Sequence, residues 1–362
     1  MQGIQQPTTV KSAMEAIGNR DYLLPAIQRR FVWSSEKVEA LFDSLMQGYP
    51  INSFMFWRIT ESTVKKSVRF YDFLQNFREH FKERNAEFST HGHKDFFAVI
   101  DGQQRLTALY IGLLGSYAYK LPRVWWRDTE ESLPTRHLYL NIYVRRSKDD
   151  ELGMEYDFRF MTKAEVQTKG EQWFRVGEAL DFDTDEAVDD YIEQHGIEDR
   201  EAKRALRRLR KVVHEDRSVL YYVETSQDID KVLDIFIRTN SGGVPLSYSD
   251  LLMSYTTAQW RDRDAREEID NLVARVFKVG THGFMISKDF VLKTALMLFA
   301  NDVRFRLKNL TADVIGELEK NWDAVAASIL AAFEFLADIG FHELNLRTKN
   351  AVIRTNWLIF AS

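Results

Sequence analysis

Asp101, Gly102, Gln103, Gln104 and Arg105 stand in a row between one apolar run, "FFAVI", and a second, "LTALYIGLL", of different period. The first run reads as a strand and the second as a helix, so the five residues occupy a strand-to-helix corner. A helix start carries unpaired backbone N–H groups and a partial positive charge, a combination that suits an anion. Gly102 lets a phosphate approach the backbone, Gln103 and Gln104 can donate from their amides, and Arg105 can make a forked bond to phosphate oxygens. Asp101 can hold a metal ion or a metal-bound water. The plainer alternative is a helix start in which Asp101 is the N-cap and Arg105 is solvated.

A second stretch, "LPAIQRRFVW", repeats the arrangement. Gln28, Arg29 and Arg30 follow a predicted strand and precede a helix start. If the two strands run parallel, both corners lie at one sheet edge, where ligands of open α/β sheets bind. The alternative makes Phe31 and Trp33 core residues and the arginines members of surface ion pairs.

The elements that must hold these corners follow from periodicity. A helix near residues 8 to 18 precedes the strand in "DYLLP". Ser34 or Ser35 caps the helix "SSEKVEALFDSLMQGY", whose Val38, Leu41, Phe42 and Leu45 share one face, and Gly48 and Pro50 stop it. "NSFMFWRI" is a strand, and residues 61 to 95, charged and aromatic without a clean period, read as an insertion. The helix opening at Gln103 is expected to run to about Tyr119. "HLYLNIYV", "EYDFRF" and "SVLYYVET" are further strands. Beyond Gln227 only helices are expected, at about 228 to 238, 247 to 260, 263 to 278, 287 to 300, 311 to 338 and from 349. Strands first and helices later predict an α+β domain over residues 1 to 226 and a helical one over 227 to 362.

Composition narrows the function. The 362 residues, 45% of them hydrophobic, suffice for two cores. A formal net charge of -5 excludes bulk polycation binding to nucleic acid, so any DNA contact must be a local patch. The best local patch is "DREAKRALRRLRK", with Arg204, Arg207, Arg208 and Lys211 as its DNA-facing candidates, although its basic residues circle the helix as a solvated helix's would. The absence of cysteine removes disulfides, thiolate zinc sites and cysteine nucleophiles. No signal-peptide pattern or membrane-length apolar run occurs, so a soluble, cytoplasmic protein is expected. "HGH", His91 and His93, lacks matching carboxylates and reads as a loop. The final "NAVIRTNWLIFAS" reads as the middle of a buried helix, which suggests that the protein continues.

A third stretch, "VLDIFIRTNSGGVPLSYSDLL", offers a tight turn at Gly242 and Gly243 and a capping box from Ser247 to Asp250. Together with "LPAIQRRFVWSSEKVEALFDSLMQGYPINSFMFW" and "FAVIDGQQRLTAL", in that order, it makes the sequence resemble the GmrSD-type restriction endonuclease N-terminal domain family, over roughly residues 8 to 260. The resemblance implies a ParB/sulfiredoxin-like fold: a small mixed sheet with helices. It also implies a nucleoside triphosphatase module of bacterial anti-phage systems, coupled to sensing of modified DNA and often joined to a C-terminal HNH nuclease. On that basis Asp101, Gln103, Gln104 and Arg105 are the expected catalytic groups and Asp101 the expected ligand of Mg²⁺. Gln28, Arg29, Arg30, Gly102, Asn240 and Ser241 are the expected nucleotide contacts. Gln103 stands where sulfiredoxins carry their cysteine, which excludes sulfinic acid reduction. No HNH-like constellation appears near the end of the chain, so a nuclease effector would lie beyond Ser362 or on a separate chain. A homo-oligomer is compatible with this reading, as is a nucleotide- or DNA-binding switch that does not hydrolyse.

Overall fold

The structure, a computed structural model, describes residues 2–4, 6–26, 30–79, 85–120, 129–146, 153–170, 172–240, 253, 256–257, 260, 262–280, 283–299 and 312–340. The chain divides into two units, Met1–Phe236 and Ile237–Ser362. Its strands are β1 (Gln2–Ile4), β2 (Tyr22–Pro25), β3 (Phe54–Ile59), β4 (Phe70–Tyr71), β5 (Asn76–Arg78), β6 (Glu87–Phe88), β7 (Phe96–Asp101), β8 (Ser116–Ala118), β9 (Thr135–Arg145), β10 (Tyr156–Met161), β11 (Trp173–Arg175) and β12 (Tyr221–Glu224). The helices among them are α1 (Val10–Gly18), α2 (Ser35–Gln47), α3 (Ser62–Ser67), α4 (Gln103–Leu114), α5 (Lys163–Lys169), α6 (Asp185–Gln194) and α7 (Arg200–His214), followed by α8 (Ile229–Asn240). No strand follows Glu224 among the described residues, so the chain is α+β, with strands first and helices last.

A seven-stranded mixed sheet has the order β1-β12-β3-β7-β2-β4-β6, and a second sheet the order β10-β9-β8-β5 with β11 also on β9. The segment from 61 to 95, expected as an insertion, is threaded through both: β4 and β6 extend the large sheet while β5 pairs β8. One continuous core joins Leu24, Phe54, Phe56 and Val99 of the large sheet to Leu138, Leu140, Phe158 and Phe160 of the small one. Helices α1, α2, α4 and α7 fill it with Val10, Met14, Val38, Phe42, Leu106, Leu109, Leu206 and Leu209.

Helix α4 is shorter than its apolar run suggests. It ends at Leu114, and beyond Gly115, which lies so close to the Gln75 carbonyl that a Cβ would be 1.7 Å from its oxygen, the Ser116 N–H donates to that carbonyl at 3.2 Å. The residues that follow become β8 instead of a further turn. Helix α2 starts at the expected Ser34 N-cap and docks on the outer edge of β10 through two carboxylates. Asp43 Oδ1 accepts from the Glu155 and Tyr156 N–H groups at 2.9 and 2.7 Å, and Glu39 Oε1 accepts from the Phe160 N–H at 3.0 Å. These bonds give an edge strand's outward N–H groups partners that another chain would otherwise offer.

The second unit contains α9 (Ala265–Val276), α10 (Lys288–Phe299), α11 (Ala312–Lys320) and α12 (Trp322–Asp338). Trp260, Ile269, Leu272, Phe284, Phe290, Trp322 and Phe333 form its core. The expected single helix over 311 to 338 is two, broken at Asn321, whose side-chain Nδ2 donates to the Glu317 carbonyl at 2.8 Å. An asparagine that bonds the backbone carbonyl one turn back in this way weakens helical continuity. The helices expected at about 247 to 260 and from 349, and the Ser247–Asp250 capping box, lie largely or wholly outside the described residues.

Candidate functional site

Strands β2 and β7 pair in parallel, Tyr22 with Phe97 and Leu23 with Ala98, so both strands end at the same edge of the large sheet. Strand β3 runs antiparallel to β7, with Met55 opposite Asp101, which brings the loop ahead of β3 to that edge as well. Three segments therefore meet: the chain after β2, the DGQQR corner, and Ile51 to Ser53. Gln28 and Arg29 lie outside the described residues, and Arg30 is half-buried at the described end of the first segment.

Gly102 is the N-cap of α4, with φ +89°. That is a left-handed conformation, which glycine adopts without the steric penalty a Cβ brings. A Cβ there would also lie 2.2 Å from Phe54 Cδ1. The glycine is thus required by protein packing as well as by backbone shape.

The polar side chains of the corner are turned largely toward the protein. Gln104 is buried; its Nε2 donates to the Arg30 carbonyl at 2.9 Å and its Oε1 accepts from the Val32 N–H at 2.9 Å. Gln103 is buried as well. Arg105, with 15% of its side chain exposed, donates to the Ile51 carbonyl, to the Ser53 carbonyl at 3.0 Å and to Asp101 Oδ2 at 3.4 Å. Its guanidinium lies 4.5 Å from the centre of the Phe54 ring. Burial pulls the Arg105 pKa below the ordinary arginine value and the Asp101 charge opposes this; an arginine so placed remains a cation. Asp101 keeps 38% of its side chain exposed and is the one carboxylate of the two corners.

Sequence reasoning missed the third segment. Arg105 clamps the carbonyls on either side of Asn52, an exposed residue in the left-handed region at φ 62°. The available signal was the asparagine between Pro50 and a strand, since asparagine tolerates this conformation better than most residues.

The donor chemistry at the edge fits Mg²⁺ that arrives with phosphate. Magnesium is commonly held by one or two carboxylates, with substrate oxygens and water completing its shell, and Asp101 supplies one such carboxylate. Among the described residues no group of three or more His, Asp or Glu side chains is placed to hold a metal ion by itself. His93, in the loop ahead of β7, bonds the carbonyl of Arg20, 73 residues away, through Nε2 at 3.1 Å. Asn240 closes α8, and Ser241 lies outside the described residues.

The four basic candidates on α7 separate. Arg208 is taken up by the scaffold: its Nε donates to the Met46 carbonyl and one terminal nitrogen to the Leu45 carbonyl, at 2.8 and 2.9 Å, and the other binds Asp216 at 2.6 Å. It therefore caps the C-terminus of α2. Arg204, Arg207 and Lys211 are exposed and recur at helical spacing on one face, a stripe where the sequence suggested a ring. Glu201 meets Arg204 at 3.0 Å and Asp189 meets Arg207 at 2.7 Å, which weakens that stripe's field. If the stripe tracks phosphates, replacing Arg204, Arg207 and Lys211 with alanine will reduce the slope of log affinity against log salt by about 0.9 per lost contact on duplex DNA. Arg208→Ala alone is expected instead to lower the unfolding midpoint, and titrations of DNA binding and of urea unfolding separate the two.

With this geometry in hand, comparison places the chain in a family of restriction proteins. The family model for the GmrSD restriction endonuclease, N-terminal domain, matches residues 10–257, and the chain belongs to that family. No curated protein matches the chain. Among the described residues no helix is long and apolar enough to cross a membrane.

Proposed function

We propose that the edge formed by the ends of β2 and β7 binds a nucleoside triphosphate with Mg²⁺ and hydrolyses it. In this reading the turnover serves a restriction protein by coupling DNA recognition, modified DNA included, to a nuclease effector. The observation that supports the proposal is the parallel pairing of β2 with β7, with Gln104 of α4 bonded to the Arg30 carbonyl and the Val32 N–H of the chain after β2. The first N–H groups of α4 would receive phosphate oxygens, and Arg29 and Arg30 would neutralise their charge. Asp101 would hold Mg²⁺, directly or through water, and Gln103 would orient the attacking water. Mg²⁺ held there would supply neutralisation of phosphate charge. The ParB/sulfiredoxin-like likeness belongs to the same reading.

The test is phosphate release from each ribonucleoside triphosphate, with and without unmodified and modified DNA. Asp101→Asn is expected to retain nucleotide binding within a few-fold while turnover falls at least about tenfold. Turnover equal to wild type would remove Asp101 from the chemistry.

One observation favours a second reading. Gln104 and Arg105 are already engaged by protein carbonyls and N–H groups, which leaves fewer side chains for a transition state. A switch that binds nucleotide without hydrolysis would show saturable binding and no phosphate release under any DNA condition.

A further inference from the structure

We infer that Gln104 is a positioning residue that fixes Arg30 to Val32 against the start of α4, so that Arg30 and the N-terminus of α4 serve one ligand site. The inference rests on the proposed nucleotide site and assigns Gln104 no contact with the ligand. Its side chain spans the segments, donating to the Arg30 carbonyl and accepting from the Val32 N–H, both at 2.9 Å. On the other side of this segment the Tyr117 hydroxyl donates to the Trp33 carbonyl at 3.1 Å. Residues 30 to 33 are therefore held from α4 on one side and from β8 on the other. Phe31 adds a buried anchor, its ring 5.1 Å from that of Phe77. Arg30, the described cation of this segment, therefore depends for its backbone position on the amide of Gln104.

The chemistry of an amide makes the arrangement specific. One end must donate and the other accept, and no other side chain of the same shape does both at every pH. Gln104→Glu keeps the acceptor for Val32, but it can donate to the Arg30 carbonyl only while protonated. Burial raises the pKa of such a carboxyl. The charged groups of the two corners are Arg29, Arg30, Asp101 and Arg105, the last two paired at 3.4 Å. Gln104→Met removes both bonds at similar volume and has no titration of its own.

The experiment measures affinity for each ribonucleoside triphosphate with Mg²⁺ between about pH 5 and 8, where a raised carboxyl titrates. Amide hydrogen exchange at Val32 is followed in parallel. The Gln104→Glu variant is expected to bind near wild-type affinity at the acidic end and at least about tenfold more weakly at the basic end, beyond any change in wild type. Gln104→Met should bind weakly throughout, and Val32 should exchange faster in it than in wild type. Unchanged Val32 exchange in Gln104→Met would overturn the positioning role. Faster exchange with wild-type affinity at every pH would also overturn it, since the bond would then be structural only. If wild type binds none of the nucleotides, the nucleotide reading of the edge falls, and the Val32 exchange still reports separately on whether Gln104 fixes the segment. Should Gln104→Glu fail to fold at the basic end, Gln104→Met at the acidic end carries the comparison.

Discussion

Gly102→Ala is expected to destabilise the first unit by on the order of 4 kcal/mol and to abolish the nucleotide binding proposed for the corner. Two independent penalties add. An L-residue held at φ +89° costs about 1 to 2 kcal/mol. The new methyl would also lie 2.2 and 2.7 Å from two carbons of the Phe54 ring, and forcing such overlap in a packed core costs about 1 to 3 kcal/mol more. Phe54 cannot retreat without consequence, because its ring lies under the Arg105 guanidinium at 4.5 Å and packs against Phe56 in the sheet core. Displacing it releases Arg105 from the carbonyls of Ile51 and Ser53. Urea unfolding measures the loss, and Phe54→Leu in the Gly102→Ala background should recover the steric part but not the backbone part. A loss below about 1 kcal/mol, outside the range expected for such strain, would show that the corner can rotate to a right-handed start.

The same residues show what the sequence makes legible. The corner itself stands out because an apolar strand run meets a helical run across five polar residues, and the shared edge was conditional only on a parallel pairing that β2 and β7 make. The use made of the side chains was hidden. Gln104 bonds residues 72 and 74 positions away, and Arg105 bonds carbonyls 52 and 54 positions away. Periodicity reports which face of an element is apolar and carries no information about such partners. The residues from 61 to 95 lacked a period for a related reason. Strands of two or three residues are too short to show alternation, yet β4, β5 and β6 each join a sheet. On α7 the sequence shows many cations, but only packing reveals that Arg208 caps α2 and Arg210 is buried, leaving the exposed ones in a stripe. At the site and on α7 the misses concern contacts distant in sequence, which a local pattern does not report.

Glu39 should make the stability of this unit fall as pH rises from about 4.5 to 7, the reverse of the usual carboxylate. Its side chain is 13% exposed between α2 and β10, and burial pushes its pKa up to about 7. The Phe160 N–H, Arg146 at 4.0 Å and the more distant Arg159 favour the charged form, and Glu36 opposes it, but desolvation is the largest influence. A folded-state pKa above the unfolded one means that the native state binds the proton more tightly. The resulting stability is fully present below about pH 4.5 and is lost as pH passes through about 7. A difference of this size corresponds to on the order of 3 kcal/mol. Other carboxylates, Glu224 among them, have lowered values and act in the opposite direction, so the quantity to measure is a difference between variants. Glu39→Gln keeps an acceptor for the Phe160 N–H and cannot ionise. Relative to wild type it should be more stable by on the order of 3 kcal/mol at pH 8 and nearly equal at pH 4. Urea unfolding of both proteins across that range decides the matter. A constant difference would place the Glu39 carboxyl near its ordinary pKa, whereas a gap that opens as pH rises assigns to this one side chain an ionisation cost at the seam between α2 and β10.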